Sequence, residues 1–274
     1  MTLPFTLACQ ENLAAGSTLV ERLASVKRYG FDAVEILGAS LVKQSEETTD
    51  ALRSAGVPVS TICAGFEGSL VHADPGMRRK AIDDCKRLLD WAEELQATGL
   101  IIATDYGTPP LPDLRPAIEP ERLLHDLLLA GVRELGQHLS GMRTALLLEP
   151  LNRYESRALR HTADGVTLCE ESGSPNIKVM FDVFHMSIEE SDPLGALRAA
   201  GDRLGHVHLA DSNRQVPGAG HTDFAALVRT LREMHYAGPA AIECQISGNP
   251  DEWLPRCVAF LQRAGQESKE YVRA

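Results

Sequence analysis

Four residues in the second half of the chain have side chains that could share one metal ion. Glu149 closes the apolar run Leu146-Leu147-Leu148, and Asp182 closes Val179-Met180-Phe181. His208 follows His206-Val207, and Glu243 closes Ala240-Ala241-Ile242. A short aliphatic run without alternation suits a strand covered on both faces, so each candidate stands at a separate predicted strand end. Two Glu, one Asp and one His form an oxygen-rich set with a single imidazole, suited to one divalent cation such as Mn2+, Mg2+ or Co2+. A lone acid after a strand is most often a helix cap or a solvated carboxylate. Four candidates on successive strand ends favour the ligand reading.

The elements that must position them repeat along the whole chain. Strands are expected at 5–9, 33–36, 57–63, 100–103, 143–149, 177–182, 203–210 and 240–244. Between and after them, helical spacing marks 17–29, 43–55, 77–95, 121–139, 162–172, 187–200, 224–234 and 251–263, with Pro193 as a break in the sixth. Eight strands alternating with helices imply a parallel sheet closed into a single-domain (β/α)8 TIM barrel spanning 1–274. In that fold the C-terminal strand ends carry the chemistry, and all four candidates sit there. The Pro-rich stretch from Thr108 to Pro120 is too long for a simple turn and is expected to border a site.

Composition narrows the function classes. The 274 residues are 44% hydrophobic and carry a formal net charge of -11. That charge argues against a nucleic-acid or anionic-membrane partner. None of the six cysteines forms a Cys-x-x-Cys pair, so neither a zinc knuckle nor a disulfide framework is expected. No apolar stretch reaches a membrane span. A reducing cytoplasm is the expected compartment.

Three segments resemble a known family. They are Leu148-Glu149-Pro150-Leu151-Asn152-Arg153-Tyr154-Glu155, Phe181-Asp182-Val183-Phe184-His185-Met186-Ser187-Ile188-Glu189-Glu190 and His206-Val207-His208-Leu209-Ala210-Asp211-Ser212-Asn213-Arg214. They look like the sugar isomerases and epimerases of the xylose-isomerase-like barrels, most of all the ketose 3-epimerases of the D-tagatose and D-psicose type. The resemblance implies one divalent metal, usually Mn2+, on Glu149, Asp182, His208 and Glu243. It implies that Glu149 and Glu243 are also the acid/base pair. It implies that Glu155, His185 and Arg214 touch the sugar. Val183 stands where relatives often carry Thr. A homodimer or homotetramer is the assembly to expect.

The chemistry requires such groups. Inverting a carbon beside a ketone means removing a weakly acidic C–H proton and returning one to the opposite face, so two bases must flank the carbon. A metal on the ketone oxygen and the adjacent hydroxyl would stabilise the enediolate.

Other readings compete. Arg153, Arg157 and Arg160 could serve a sugar-phosphate epimerase or isomerase, and a hydroxypyruvate-type or aldose–ketose isomerase would use the same metal. The endonuclease IV branch shares the barrel but needs a larger ligand set. A sugar binder without turnover would have no use for two opposed bases. His206 reads as a core or outward-facing histidine. His72, His221, Asp105 and Glu35 sit at predicted rims and stay outside the ligand set. Gly218-Ala219-Gly220 reads as a loop.

Overall fold

In a computed structural model, residues 3–43, 45–106 and 111–270 are described. Part of the Pro-rich stretch, 108–110, therefore lies outside the described residues, as do 271–274 of the tail.

Eight parallel strands close into a barrel in sequence order. They are β1 (Thr6–Gln10), β2 (Ala33–Leu37), β3 (Val59–Cys63), β4 (Gly99–Ala103), β5 (Ala145–Glu149), β6 (Ile177–Asp182), β7 (Leu204–Leu209) and β8 (Pro239–Ile242). β1 pairs with β8, with Leu7 opposite Ala240 and Cys9 opposite Ile242, so no open edge remains. The outer ring holds α1 (Leu19–Tyr29), α2 (Gly38–Lys43), α3 (Ser45–Ala55), α4 (Pro75–Glu94), α5 (Pro120–His138), α6 (Thr162–Ser172), α7 (Val183–Glu189), α8 (Pro193–Ala200), α9 (Phe224–Glu233) and α10 (Pro250–Glu270).

Local chemistry sets these boundaries. α1 opens on a Thr18/Glu21 capping box and closes on Gly30 at φ 90°, a left-handed residue where glycine costs least. α4 is capped by Asp74 with Pro75 in its first turn. The expected sixth helix is two helices. The carboxylate of Asp182 caps α7 at once after β6, and Asp192 with Pro193 starts α8 afresh. α2 was not expected, because six residues between a strand and a helix carry too little periodicity.

The main core lies between strands and helices, with Val34, Ile36, Leu100, Leu146, Leu148, Val207 and Leu209 pointing outward against the helical ring. Inside the barrel the filling is uneven. One side is apolar: Cys63, Ile101, Leu147 and Met180 pack together. On the other side Ala8, Ala33 and Ala241 form a separate small cluster. Those short side chains leave interior volume, and His206, His208 and Glu35 are fully buried in the barrel. His206 is therefore a core residue and not an outward-facing one.

Candidate active site

Strand register brings the four candidate ligands to one end of the barrel. Glu149 and Asp182 are the last residues of β5 and β6, His208 is the penultimate residue of β7, and Glu243 directly follows β8. Asp182 is in register with His208. The imidazole Nδ1 of His208 lies 3.4 Å from Glu149 Oε1, 3.6 Å from Asp182 Oδ2 and 3.1 Å from Glu243 Oε2. One ligand atom from each of the four falls within 4.8 Å of every other.

These distances suit a small cation. Neighbouring ligands on an octahedral ion bound at about 2.1 Å are roughly 3 Å apart. His208 Nδ1 is buried and makes no hydrogen bond, although three carboxylates surround it. Buried polar atoms are nearly always satisfied, and a cation on this nitrogen and these oxygens would satisfy all of them. The residues present fit a divalent metal.

Asp182 shows that the helix-cap reading and the ligand reading can both hold. Its Oδ1 accepts the backbone N–H of His185 at 2.8 Å, while Oδ2 faces His208.

Burial and charge pull the titrating groups apart. Burial lifts the Glu149 carboxyl above its ordinary value, reinforced by Glu243 and Asp182 and partly opposed by His208. Burial also acts to raise Asp182, but the bonds and charge of His208 and His185 leave it lowered. Burial works against the His208 cation, yet Glu35, Glu243, Asp182 and Glu149 hold its pKa well above the usual imidazole range.

Three residues expected at the sugar lie beside the quartet. A cavity of about 440 Å³ is lined by Glu149, Glu243, Glu155, His185 and Arg214 on one side. Cys63, Ala64, Phe66, Ile101 and Tyr106 form the other wall. Arg214 donates to Glu155 Oε1 at 3.0 Å, and its guanidinium lies over the Phe184 ring at 4.8 Å. The backbone of Arg214 is left-handed, φ 60°, a conformation that side-chain-bearing residues adopt at a cost of order 1 kcal/mol and that clusters at functional sites.

The model of the family described as xylose isomerase-like TIM barrel matches residues 23–264. This chain belongs to that family. The 3-dehydro-D-guloside 4-epimerase of Escherichia coli (strain K12) is 32% identical over 233 residues, 83% of this chain and 87% of that protein. A D-psicose 3-epimerase of Enterocloster bolteae is 42% identical over 113 residues, 41% of this chain and 38% of the relative. The crystal structure of the E. coli 3-keto-D-glucoside 4-epimerase, without ligand, matches with a TM-score of 0.86 at 29% identity, covering 94% of this chain and 99% of that one. Kinship of this extent makes the chain an enzyme of the isomerase class.

In this xylose isomerase-like barrel, other rim residues take structural places. Arg153 pairs with Glu189 at 2.7 Å, while Arg157 and Arg160 line a different cavity, of about 430 Å³. These three arginines do not line the Glu149 pocket. Asp105 is buried and holds the loop after β5 through Ser156 and the backbone N–H of Arg157 and Ala158. His72 Nδ1 accepts from the Asp74 backbone. His221 is exposed. The glycine loop wraps Asp211, whose carboxylate accepts from the N–H of Ser212, Gly218 and Thr222. It has no free cradle for a phosphate.

Asn152 and Gln10 were not expected at the site, and Glu35 was expected at the rim, outside the ligand set. Asn152, buried after β5, donates its backbone N–H to His185 Nδ1 at 3.2 Å, and its side-chain amide lies 2.8 Å from the same nitrogen. The amide also donates to Glu155 Oε1 at 2.9 Å. His185 Nδ1 is thereby an acceptor, so the ring proton of the neutral imidazole sits on Nε2, which is buried and has no protein partner. Glu35 on β2 and Gln10 on β1 lie beneath His208 and Glu243. Only Glu35 had a signal, an acid inside the apolar run Ala33-Val34-Glu35-Ile36.

Proposed function

We propose that this protein is a divalent-metal-dependent epimerase that inverts the carbon beside the ketone of a small sugar. Its leading substrates are free ketoses inverted at C3. The observation that carries the reading is the convergence of Glu149 and Glu243 from distant strands on one buried imidazole nitrogen, open to a pocket of sugar size.

Glu149, Asp182, His208 and Glu243 would hold the ion, with Mn2+ the expected metal and Mg2+ or Co2+ as substitutes. Bound there, a divalent cation supplies Lewis-acid polarisation of the ketone and its neighbouring hydroxyl. The chain does the rest. One glutamate takes the C–H proton, and the electron pair moves into the C=C bond of an enediolate. The other glutamate delivers a proton to the opposite face. Glu149 is buried at the pocket, where a carboxylate held close to the substrate carbon can take and return a proton. Burial disfavours the Arg214 charge, but Glu155 and the site carboxylates hold it, so a fixed cation faces the developing negative oxygen. His185 would add its Nε2–H.

A second reading rests on the guloside 4-epimerase, which matches a larger share of the chain than the psicose epimerase does. Inverting C4 beside a C3 ketone is the same chemistry moved along a glycoside ring.

A panel in heavy water tests both. The Mn2+-loaded protein is incubated with free ketoses and with 3-keto glycosides, and NMR locates the deuterium. Deuterium at C3 of a ketose with its C3 epimer supports the leading reading, and deuterium at C4 of the glycoside supports the second. Deuterium at C1 or C2 with an aldose product would show an aldose–ketose isomerase and defeat both.

A further inference from the structure

Glu35 is fully buried, yet it has a complete set of partners. Thr61 Oγ1 donates to its Oε2 at 2.6 Å, and Gln10 Nε2 donates to its Oε1 at 3.0 Å. His208 Nε2 lies 3.1 and 3.2 Å from the two oxygens. Register explains the grouping: Gln10 pairs with Glu35, and Glu35 with Thr61, so three adjacent strands place them side by side. Gln10 also reaches Glu243 Oε1 at 3.3 Å. His206 stands edge-on to the His208 ring, centroids 5.0 Å apart.

A buried carboxylate is costly unless its oxygens are met by donors. Here the donors are met in full, and one of them belongs to a candidate metal ligand. With Nε2–H given to Glu35, the neutral imidazole carries its free lone pair on Nδ1, the atom that faces the three carboxylates. We infer that Glu35 is a positioning residue: it fixes the tautomer and tilt of His208 and, through Gln10, the reach of Glu243, so that both present preset donor atoms to the cation. The inference rests on the proposal that the quartet holds a metal. Partners of this kind typically change metal affinity tenfold to a hundredfold, about 1.4 to 2.8 kcal/mol, when removed.

The same residues permit a rival role. Glu35, His206 and His208 are close enough to hold an ion of their own. Both Glu35 oxygens are already engaged by Thr61, Gln10 and His208, however, and with its proton given to Glu35 the His208 Nε2 has no lone pair left for a second ion.

The test is equilibrium Mn2+ binding, read by the free-ion EPR signal, on wild type, Glu35→Gln and Thr61→Val. One site in the wild type, weakened about tenfold or more in Glu35→Gln with unchanged stoichiometry, supports the inference. Histidine 15N spectra of the Zn2+-loaded protein give a readout independent of turnover: the wild type shows a protected Nε2–H on His208, and Glu35→Gln loses that protection. Native affinity and a retained Nε2–H in Glu35→Gln overturn the positioning role while leaving the metal reading intact. A wild type that binds no Mn2+ removes the metal reading itself. Two wild-type sites, one of them lost in Glu35→Gln, make Glu35 a ligand and overturn the inference. If Glu35→Gln does not fold, Thr61→Val carries the test. It removes one donor to Glu35 and is expected to weaken binding about threefold; native affinity there counts against the inference.

Discussion

The four proposed metal ligands come from β5, β6, β7 and the residue after β8. β1 to β3 supply Gln10, Glu35 and Thr61, which hold His208 and Glu243 from below. β3, β4 and the loops after them supply the apolar wall of the pocket. One half of the barrel presents acids and an imidazole, and the other presents hydrogen-bond supports and walls. A closed sheet makes this division workable, because β1 rejoins β8 and brings Gln10 within reach of Glu243 across 233 positions of sequence. Substitutions in the two halves should therefore fail in different ways.

The largest difference is expected in the ligand half. Asp182→Ala and His208→Ala should each weaken Mn2+ binding by about 100-fold or more, seen by calorimetry; each removes a donor and leaves buried carboxylates facing one another. Phe66→Ala in the wall should raise KM and leave Mn2+ affinity unchanged. Equal metal affinities across the three variants would erase the contrast.

Metal removal should come next. A ligand at about 100 times its Kd adds roughly 2.7 kcal/mol of stability. For a chain of this size EDTA should then lower Tm by about 5 °C or more, read by differential scanning fluorimetry. An unchanged Tm would show that no ion ties the two halves together.

Asn152→Ala sharpens the contrast within the ligand half. It removes the side-chain amide from His185 Nδ1, where the backbone N–H remains, and takes one donor from Glu155 without touching the quartet. KM should rise about tenfold, with Mn2+ affinity native. A lost metal site would place Asn152 with the ligands instead.

The smallest effect belongs to the outer ring of the supporting half. Glu134 on α5 pairs with Arg79 and Lys86 on α4. These bonds hold its carboxyl at about 2, below the ordinary 4.5. A depressed carboxylate pKa adds stability that is full above about 4.5 and is lost as pH falls toward 2. Glu134→Gln should lower Tm by about 2 °C at pH 7, allowing for partial exposure. The gap should shrink below pH 4.5, and kcat should not change. A gap that widens on acidification would contradict the assignment.

Much of the molecule was legible in the chain because parallel barrel strands are short, apolar and evenly spaced. The runs before Glu149 and Asp182 marked both a strand and its chemical end. The supports were not legible, since their meaning depends on register. Gln10 and Thr61 look like any polar residue near a strand end until β1, β2 and β3 are laid side by side. Asn152 lies in the first segment that resembles the family, but its role comes from a loop that meets α7, which spacing does not reveal. The room for His206 and His208 depends on Ala8, Ala33 and Ala241, which no periodicity connects.

The central claim is that Glu149 and Glu243 exchange protons with opposite faces of one carbon. Its most direct test is turnover in heavy water by Mn2+-loaded wild type, Glu149→Gln and Glu243→Gln, with bound metal and deuterium at the inverted carbon measured together. The expected result is solvent deuterium at that carbon with each inversion in the wild type, and inversion slowed about 1,000-fold in each variant that still carries its ion. Native-rate inversion by either metal-bearing variant, or inversion without solvent deuterium, would contradict the account.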